Sequence, residues 1–317
     1  MWRFLNRPEI QYTKERIDMA LFPNFFVIGA PKSGTTSLCR YLEGHPNIFF
    51  SKLKEPQYFN FDSSKWLRPS LKSYRSLFST VNRELHKAVG EGSTCYLFSC
   101  VAVAEILKKR PDAKFIVMLR NPIELVQAWH SEMFWEGIED ISDFEKAWNM
   151  QEVRKSGGYI PRTCWEPNKL FYAEWGALGN QIERLLSVAD RNAVKIILFE
   201  DFVANPKVIY EDVLSFLEVP ADARTEFPIF NDNRMVRWPW LQRRVAFAAN
   251  YFRMFRIITG LDLGIGTNVF PRILRINSNQ ASRIPISPDF RRYLQEYYRQ
   301  DLKKLSALLD RDLSQWA

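Results

Sequence analysis

Long apolar runs are missing from this 317-residue chain. No stretch of about 18 uncharged apolar residues is present to cross a bilayer. Cysteine is scarce: Cys39, Cys95, Cys100 and Cys164 form no CxxC pair and no regular framework, so no disulfide scaffold is expected. Histidine is scarcer, at three residues, and neither an HExxH motif nor a Cys/His cluster points to a metal. No Asn-x-Ser/Thr acceptor occurs, and the N-terminal MWRFLNRPEIQYTKER has no apolar core of signal-peptide length. A soluble, cytoplasmic protein is the expectation. Internal repeats and low-complexity tracts are also lacking.

What is present reads as a globular enzyme, with 46% apolar and 25% charged residues. That composition excludes a disordered tail, a collagen-like repeat and a coiled coil. Aromatic residues reach 15%, so large apolar surfaces must pack somewhere. The formal charge of +8 favours anionic partners. Much of it is local: Arg237–Ile276 holds seven Arg, no Lys and one acid, Asp262. Seven aromatics share that stretch, among them Trp238, Trp240, Tyr251, Phe252 and Phe255.

Short apolar runs at Phe25–Ile28, Lys87–Val89, Phe115–Leu119 and Val194–Phe199 are bounded by Gly, Pro or charge and predict buried parallel strands. Helix-like stretches separate them at Thr35–Glu43, Tyr96–Lys109, Pro122–Trp135, Asp143–Lys155 and Lys169–Ala189. Strands alternating with helices predict an α/β, three-layer fold with a central parallel sheet flanked by helices. Asn121-Pro122, Asn205-Pro206 and Ser287-Pro288 carry the N-cap-plus-Pro start signal. The last helix is expected to bury Phe290, Leu294, Tyr297, Leu305 and Leu308.

The sharpest signal is Phe25-Phe26-Val27-Ile28-Gly29-Ala30-Pro31-Lys32-Ser33-Gly34-Thr35-Thr36-Ser37. A strand runs into a Gly-bearing loop that opens a helix, an arrangement whose backbone N–H groups and dipole favour an anion. The spacing Gly29-x4-Gly34 imitates an ATP-binding P-loop, GxxxxGK[ST]. Here, however, Thr35 follows Gly34 and the lysine has moved back to position 32, which disfavours an ordinary kinase or ATPase. A second anion site is read at Met118-Leu119-Arg120-Asn121-Pro122. Arg120 ends a strand before a capped helix, where open parallel sheets bind ligands and where Arg suits bidentate phosphate contact.

Pro31–Ser37 resembles the 5′-phosphosulfate loop of PAPS-dependent sulfotransferases, and Leu119–Glu124 resembles their 3′-phosphate motif. Lys54-Glu55-Pro56-Gln57-Tyr58-Phe59 looks like the acidic motif of the branch with bacterial and carbohydrate (heparan-type) members. Gly90–Leu97, Phe199–Phe202 and Arg311–Trp316 resemble further motifs of the bacterial members. The likeness spans about Phe25 to Trp316, with Arg237–Ile276 the least recognisable part. One position departs: the family's usual Ser, eight residues after the arginine, is Ala128, and Ser131 lies one helical turn on.

The resemblance implies PAPS as co-substrate, no metal, and transfer of a sulfuryl group to a hydroxyl of a carbohydrate, lipid or small natural product. It implies donor contacts from Lys32, Ser33, Gly34, Thr35, Thr36, Ser37 and Arg120, with Ser131 in the place of the usual Ser. Lys32 would meet charge on the leaving 5′-phosphate. Glu55 is the expected acceptor base and His130 its rival; pairing of Glu55 with Lys52 or Lys54 is the bland alternative. His45 and His86 read as turn or surface residues. The chain is expected to be one domain over 1–317 with a helical insertion at about 237–276. Within it, 241–258 reads first as a core helix, with an acceptor lid or a peripheral membrane or lipid contact as the alternatives. Its apolar face is expected at 241, 245, 248, 252 and 255, with a neighbouring stripe at 247, 251, 254 and 258, and Gln242, Arg243, Arg253 and Arg256 opposite. No nucleic-acid partner is expected. The rival functions are a P-loop nucleotide kinase and a non-catalytic nucleotide- or membrane-binding module.

Overall fold

The computed structural model describes residues 22–63, 68–228, 230, 234–259, 272–273, 276–280 and 285–316. The chain runs β1 (Phe25–Gly29), α1 (Thr35–Glu43), β2 (Ile48–Phe50), α2 (Leu71–Ser76), β3 (Ala88–Gly92), α3 (Ala102–Lys109) and β4 (Lys114–Leu119). It continues through α4 (Pro122–Trp135), α5 (Phe144–Asn149), α6 (Gln151–Lys155), α7 (Tyr172–Gly176), α8 (Leu178–Val188), β5 (Val194–Leu198), α9 (Phe199–Ala204) and α10 (Pro206–Phe216). The last elements are β6 (Arg234–Val236), α11 (Pro239–Thr259), β7 (Ser278–Gln280) and α12 (Pro288–Leu309). The fold divides into two compact units. One is built from residues up to Ser63, Leu67–Arg120 and Arg184–Phe230, the other chiefly from Asn121–Glu183 and Asn231–Ala317.

The first unit is an α/β fold around five parallel strands in the order β2-β3-β1-β4-β5. β1 lies at the centre with every residue of FFVIG buried, as expected of a strand covered on both faces. Alternation sorts its side chains. Phe25 and Val27 pack with Leu38, Tyr41 and Leu42 of α1 and with Tyr210, Val213 and Leu214 of α10. Phe26 turns the other way, stacking on Phe115 and meeting Phe59 edge-on at 6.0 Å. Tyr74 of α2 closes that side, 5.5 Å from Phe59. The four expected strands form, and α1 has the expected bounds. β2 was not expected, because Ile48–Phe50 is too short to show a period. The helix expected over Tyr96–Lys109 starts only at Ala102, after a 3₁₀ turn at Thr94–Tyr96.

The second unit is largely helical, with β6 and β7 paired antiparallel. Its centre holds a salt bridge. Arg154 donates from Nη1 and Nη2 to the Glu139 carboxylate at 2.7 and 2.8 Å, and both side chains are fully buried. Tyr172 adds its hydroxyl at 2.6 Å, and the amides of Asp140 and Ile141 donate to the same carboxylate. Burial works to raise the Glu139 pKa, but these donors outweigh it and hold the carboxyl below its usual range.

Local readings in this unit are corrected in detail. The helix expected at Asp143–Lys155 is broken into α5 and α6, with Asp143 capping α5 through the Lys146 amide. The helix expected at Lys169–Ala189 is likewise divided at Phe171 and Ala177. On α12 the buried tyrosine is Tyr298, and Leu302 joins it, whereas Tyr297 is half exposed. The Tyr298 hydroxyl reaches the Tyr172 and Ala173 carbonyls, which selects that register. Ser287 and Asn121 cap their helices as expected; in the first unit, Asn205 starts α10 without a side-chain cap.

Candidate active site

The loop after β1 is shaped by backbone conformations that few residues adopt. Gly29 has φ +153, and a Cβ there would lie 2.7 Å from the Leu97 Cβ and 2.9 Å from the Thr94 carbonyl. The Ala30 amide then bonds the Met118 carbonyl of β4 at 2.6 Å, tying the loop to the sheet. Lys32 sits in the left-handed region at φ 61, and Gly34 at φ 85 forms the N-cap of α1. No side chain caps this helix start. Its first N–H groups have no intrahelical acceptor, so with the dipole they are suited to receive an anion. Ser33, Thr35 and Ser37 are buried around the turn, while Lys32 and Thr36 stay half-buried. The Ser37 hydroxyl accepts from the Phe230 amide, so this side chain braces the helix.

Arg120 follows the last residue of β4 and turns back over this loop. Its guanidinium donates to the Lys32 carbonyl at 3.5 Å and lies 4.7 Å from the centre of the Phe199 ring. Phe199, the first residue of α9, also packs beneath Gly34, where a Cβ would come within 3.0 Å of its ring. The topology explains the meeting. β1, β4 and β5 are adjacent and parallel, so the loops leaving their carboxyl ends converge.

The motif after β2 reaches the same end. Lys54 donates to Thr36 Oγ1 at 2.6 Å and lies 3.7 Å from Glu55 Oε1. Glu55 is held in the left-handed region at φ 57, its amide bonded to the Gly92 carbonyl. Thr94 donates its hydroxyl to Glu55 Oε1 at 3.1 Å, and Gln57 donates to Oε2 at 3.5 Å. Thus Lys32, Thr36, Lys54, Glu55 and Arg120 belong to one compact unit. Lys54 at the helix start, Thr94 on the carboxylate and Phe199 under the glycine are contacts that sequence reading does not assign. The only sign of them was membership of the quoted motifs.

The remaining expected residues lie in the second unit. His130 is buried, its Nε2 bonded to the Ile141 carbonyl at 2.9 Å. Desolvation lowers its pKa, with Ile141 and Glu139 opposing. Ser131 donates its hydroxyl back to the Gln127 carbonyl one turn earlier. In the first unit, His45 is a turn residue but not a surface one: it is buried, with Nε2 on the Pro220 carbonyl and Nδ1 accepting from the Asn47 amide.

A family model for the sulfotransferase domain matches residues 22–235. The chain belongs to the sulfotransferase family. The chain is 34% identical over 117 residues to membrane-associated sulfotransferase kil1 of Dictyostelium discoideum, covering 36% of this chain and 24% of that protein. It is 26% identical over 247 residues to human carbohydrate sulfotransferase 15, covering 62% and 44%. It therefore spans well under two thirds of these relatives' length. Among solved structures, a sulfotransferase from Alicyclobacillus acidocaldarius aligns over 93% of this chain and 98% of its own, at 27% identity and a TM-score of 0.68.

Proposed function

We propose that the protein transfers a sulfuryl group from PAPS to an acceptor hydroxyl, with 1–317 acting as one sulfotransferase domain. The observation that carries this reading is the convergence of Lys32, the open start of α1, Arg120 and Glu55 within one unit. The S–O bond to the donor's 5′-phosphate breaks as a new S–O bond forms to the acceptor oxygen. Lys32 and donors of Ser33–Ser37 meet the charge left on the 5′-phosphate, and Arg120 binds the 3′-phosphate. Glu55 takes the acceptor proton, its carboxylate oriented by Thr94 and Gln57. Ser131 lies in the other unit, its hydroxyl donated to the Gln127 carbonyl. His130 is the weaker base candidate, since its ring is buried and bonded to a backbone carbonyl.

The test is direct. Adenosine 3′,5′-bisphosphate should raise the melting temperature with or without Mg²⁺, and labelled PAPS should transfer label in a screen of carbohydrate, lipid and small hydroxylated acceptors. Stabilisation by Mg-ATP alone, with no label transfer, would return the protein to the P-loop kinases.

We also infer that α11 rests on an anionic membrane surface, with the body of the enzyme in the cytoplasm. Its buried side is only partly the expected one: Val245 lies on it as expected, but so does Gln242, expected opposite. Gln242, Val245 and Ala246 point inward, and the Gln242 amide bonds the Trp135 carbonyl. Trp240, Arg244, Phe247 and Tyr251 recur at helical spacing on the outer side, the three aromatics each more than half exposed. Arg243 flanks them, and no acid occurs between Asn233 and Leu261. Aromatic rings interleaved with arginine fit a lipid interface with negative headgroups. Phe252, Phe255, Arg253 and Arg256, named in the expected faces, have side chains outside the described residues. Among the described residues no helix is long and apolar enough to cross a membrane. Phe247→Ser with Trp240→Ser should abolish flotation with phosphatidylserine vesicles while bisphosphate stabilisation persists. Equal flotation of parent and variant, or none by the parent, would remove this contact.

A further inference from the structure

β3 carries a carboxyl where a parallel sheet has little place for one. Glu91 pairs in register with Phe26 of the central strand and is fully buried. Neither of its oxygens has a hydrogen-bond partner within good geometry, nor does the neighbouring Tyr74 hydroxyl. The groups acting on it are the hydroxyls of Tyr96 (3₁₀ turn), Tyr74 (α2) and Ser93, and the Glu55 carboxylate. Burial pushes its pKa up to about 8; the three hydroxyls pull against this, and Glu55 reinforces it. A neutral acid fits such a place, whereas a lone carboxylate there costs heavily.

The residues just after Glu91 hold the Glu55 loop. The Glu55 amide bonds the Gly92 carbonyl at 2.9 Å, the Gln57 amide bonds Ser93 Oγ at 3.0 Å, and the Phe59 amide bonds the Tyr96 hydroxyl at 3.2 Å. Glu55 and Gln57 both have positive φ, at 57 and 53, and such conformations persist only when their surroundings impose them. Ser93 and Tyr96 spend their oxygens accepting from this loop, so each hydroxyl hydrogen is left to point elsewhere. Both hydroxyls act on Glu91.

We propose that Glu91, buried and neutral next to Gly92, Ser93 and Tyr96, is a positioning residue for Glu55: it keeps uncharged the ground on which those three residues hold the loop that carries the base. Ionisation of Glu91 places a second negative charge inside the sheet beside Glu55 and loosens that loop. The proposal rests on Glu55 being the acceptor base.

The test compares the parent with Glu91→Gln, which keeps the size and the neutral state. Hydrogen exchange of the Glu55, Gln57 and Phe59 amides, after correction for the intrinsic rate, should accelerate in the parent as pH rises through about 8. The Gln variant should keep its protection, and the alkaline fall in its kcat should vanish. Stability follows the same sign. The raised folded pKa makes the parent lose stability from about pH 4.5 up to about 8, and Glu91→Gln removes that slope. Glu91→Ala, if it folds, should lower kcat by about 10²-fold through misplacement of the base while leaving bisphosphate affinity unchanged. Loop protection and kcat that fall alike with pH in the parent and Glu91→Gln would overturn the proposal. Full turnover in Glu55→Gln would instead remove the base assignment, and the exchange data would still report on Glu91.

Discussion

Lys54 donates its ammonium to Thr36 Oγ1 at 2.6 Å, joining the acidic motif after β2 to the first turn of α1. The same ammonium stands 3.7 Å from Glu55, its immediate neighbour. Lys54 is nearly half exposed, so the pair adds little to stability. On the proposed function, its charge adds to the attraction of an anionic donor.

Lys54→Met should therefore leave the melting temperature of the free protein close to that of the parent. Bisphosphate should bind more weakly, and its affinity should depend less steeply on salt. Calorimetric titration at two ionic strengths reads both effects. Unchanged affinity at both would confine Lys54 to the loop.

The two cations proposed for the donor, Lys32 and Arg120, should separate by nucleotide. Arg120→Ala should narrow the preference for adenosine 3′,5′-bisphosphate over the nucleotide lacking the 3′-phosphate. Lys32→Ala should depress turnover for every acceptor. Thermal shifts with both nucleotides, paired with initial rates, distinguish them; equal stabilisation of the parent by both nucleotides would deprive Arg120 of its role.

Glu55→Gln should keep donor affinity and lose about 10²–10⁴-fold in rate on an ordinary alcohol. The loss should shrink for an acceptor that ionises readily, such as a nitrophenol. A uniform loss across acceptors would mean that the variant disturbs the donor instead.

Gly34→Ala tests the loop's shape. The added methyl would meet the Phe199 ring at 3.0 Å, and φ 85 is strained for alanine. A cost of about 1–3 kcal/mol in urea unfolding is expected, together with loss of bisphosphate binding. Phe199→Leu in the same chain should relieve the contact but not the backbone strain, so recovery should be partial.

Glu139→Gln leaves the buried Arg154 without its counter-charge and should cost about 3–5 kcal/mol. Replacing both, with Arg154→Met, should recover much of that. Because the folded pKa of Glu139 is lowered, its contribution is present above its ordinary value of 4.5 and disappears as pH falls through the folded one. The deficit of Glu139→Gln in denaturant melts should thus be full at pH 7 and shrink in acid.

Much of the proposed donor side is local in the chain and so was legible. β1, its loop and α1 lie within Phe25–Glu43, where a buried strand, two glycines and a hydroxyl-rich helix start follow one another. Arg120 was equally plain, at the junction between an apolar strand and an Asn-Pro cap. Composition and alternation were enough for a parallel α/β sheet.

Other features depend on partners far away in the chain. Thr94 and Glu55 are 39 positions apart and meet only because β2 pairs with β3. β2 itself is three residues long and carries no period. Periodicity did not fix the buried side of either long amphipathic helix. The inner face of α11 is set by Gln242 finding the Trp135 carbonyl and Asn277. On α12, Tyr298 rather than Tyr297 is buried because its hydroxyl finds carbonyls on α7. The chain by itself determined where its strands, its phosphate-type loop and its capped helices begin, since short-range sterics and local hydrogen bonds decide those. Which carboxyl stays ionised at Glu139, and which is pushed towards neutrality at Glu91, was decided by tertiary structure alone, because desolvation and the donors opposing it come from distant segments.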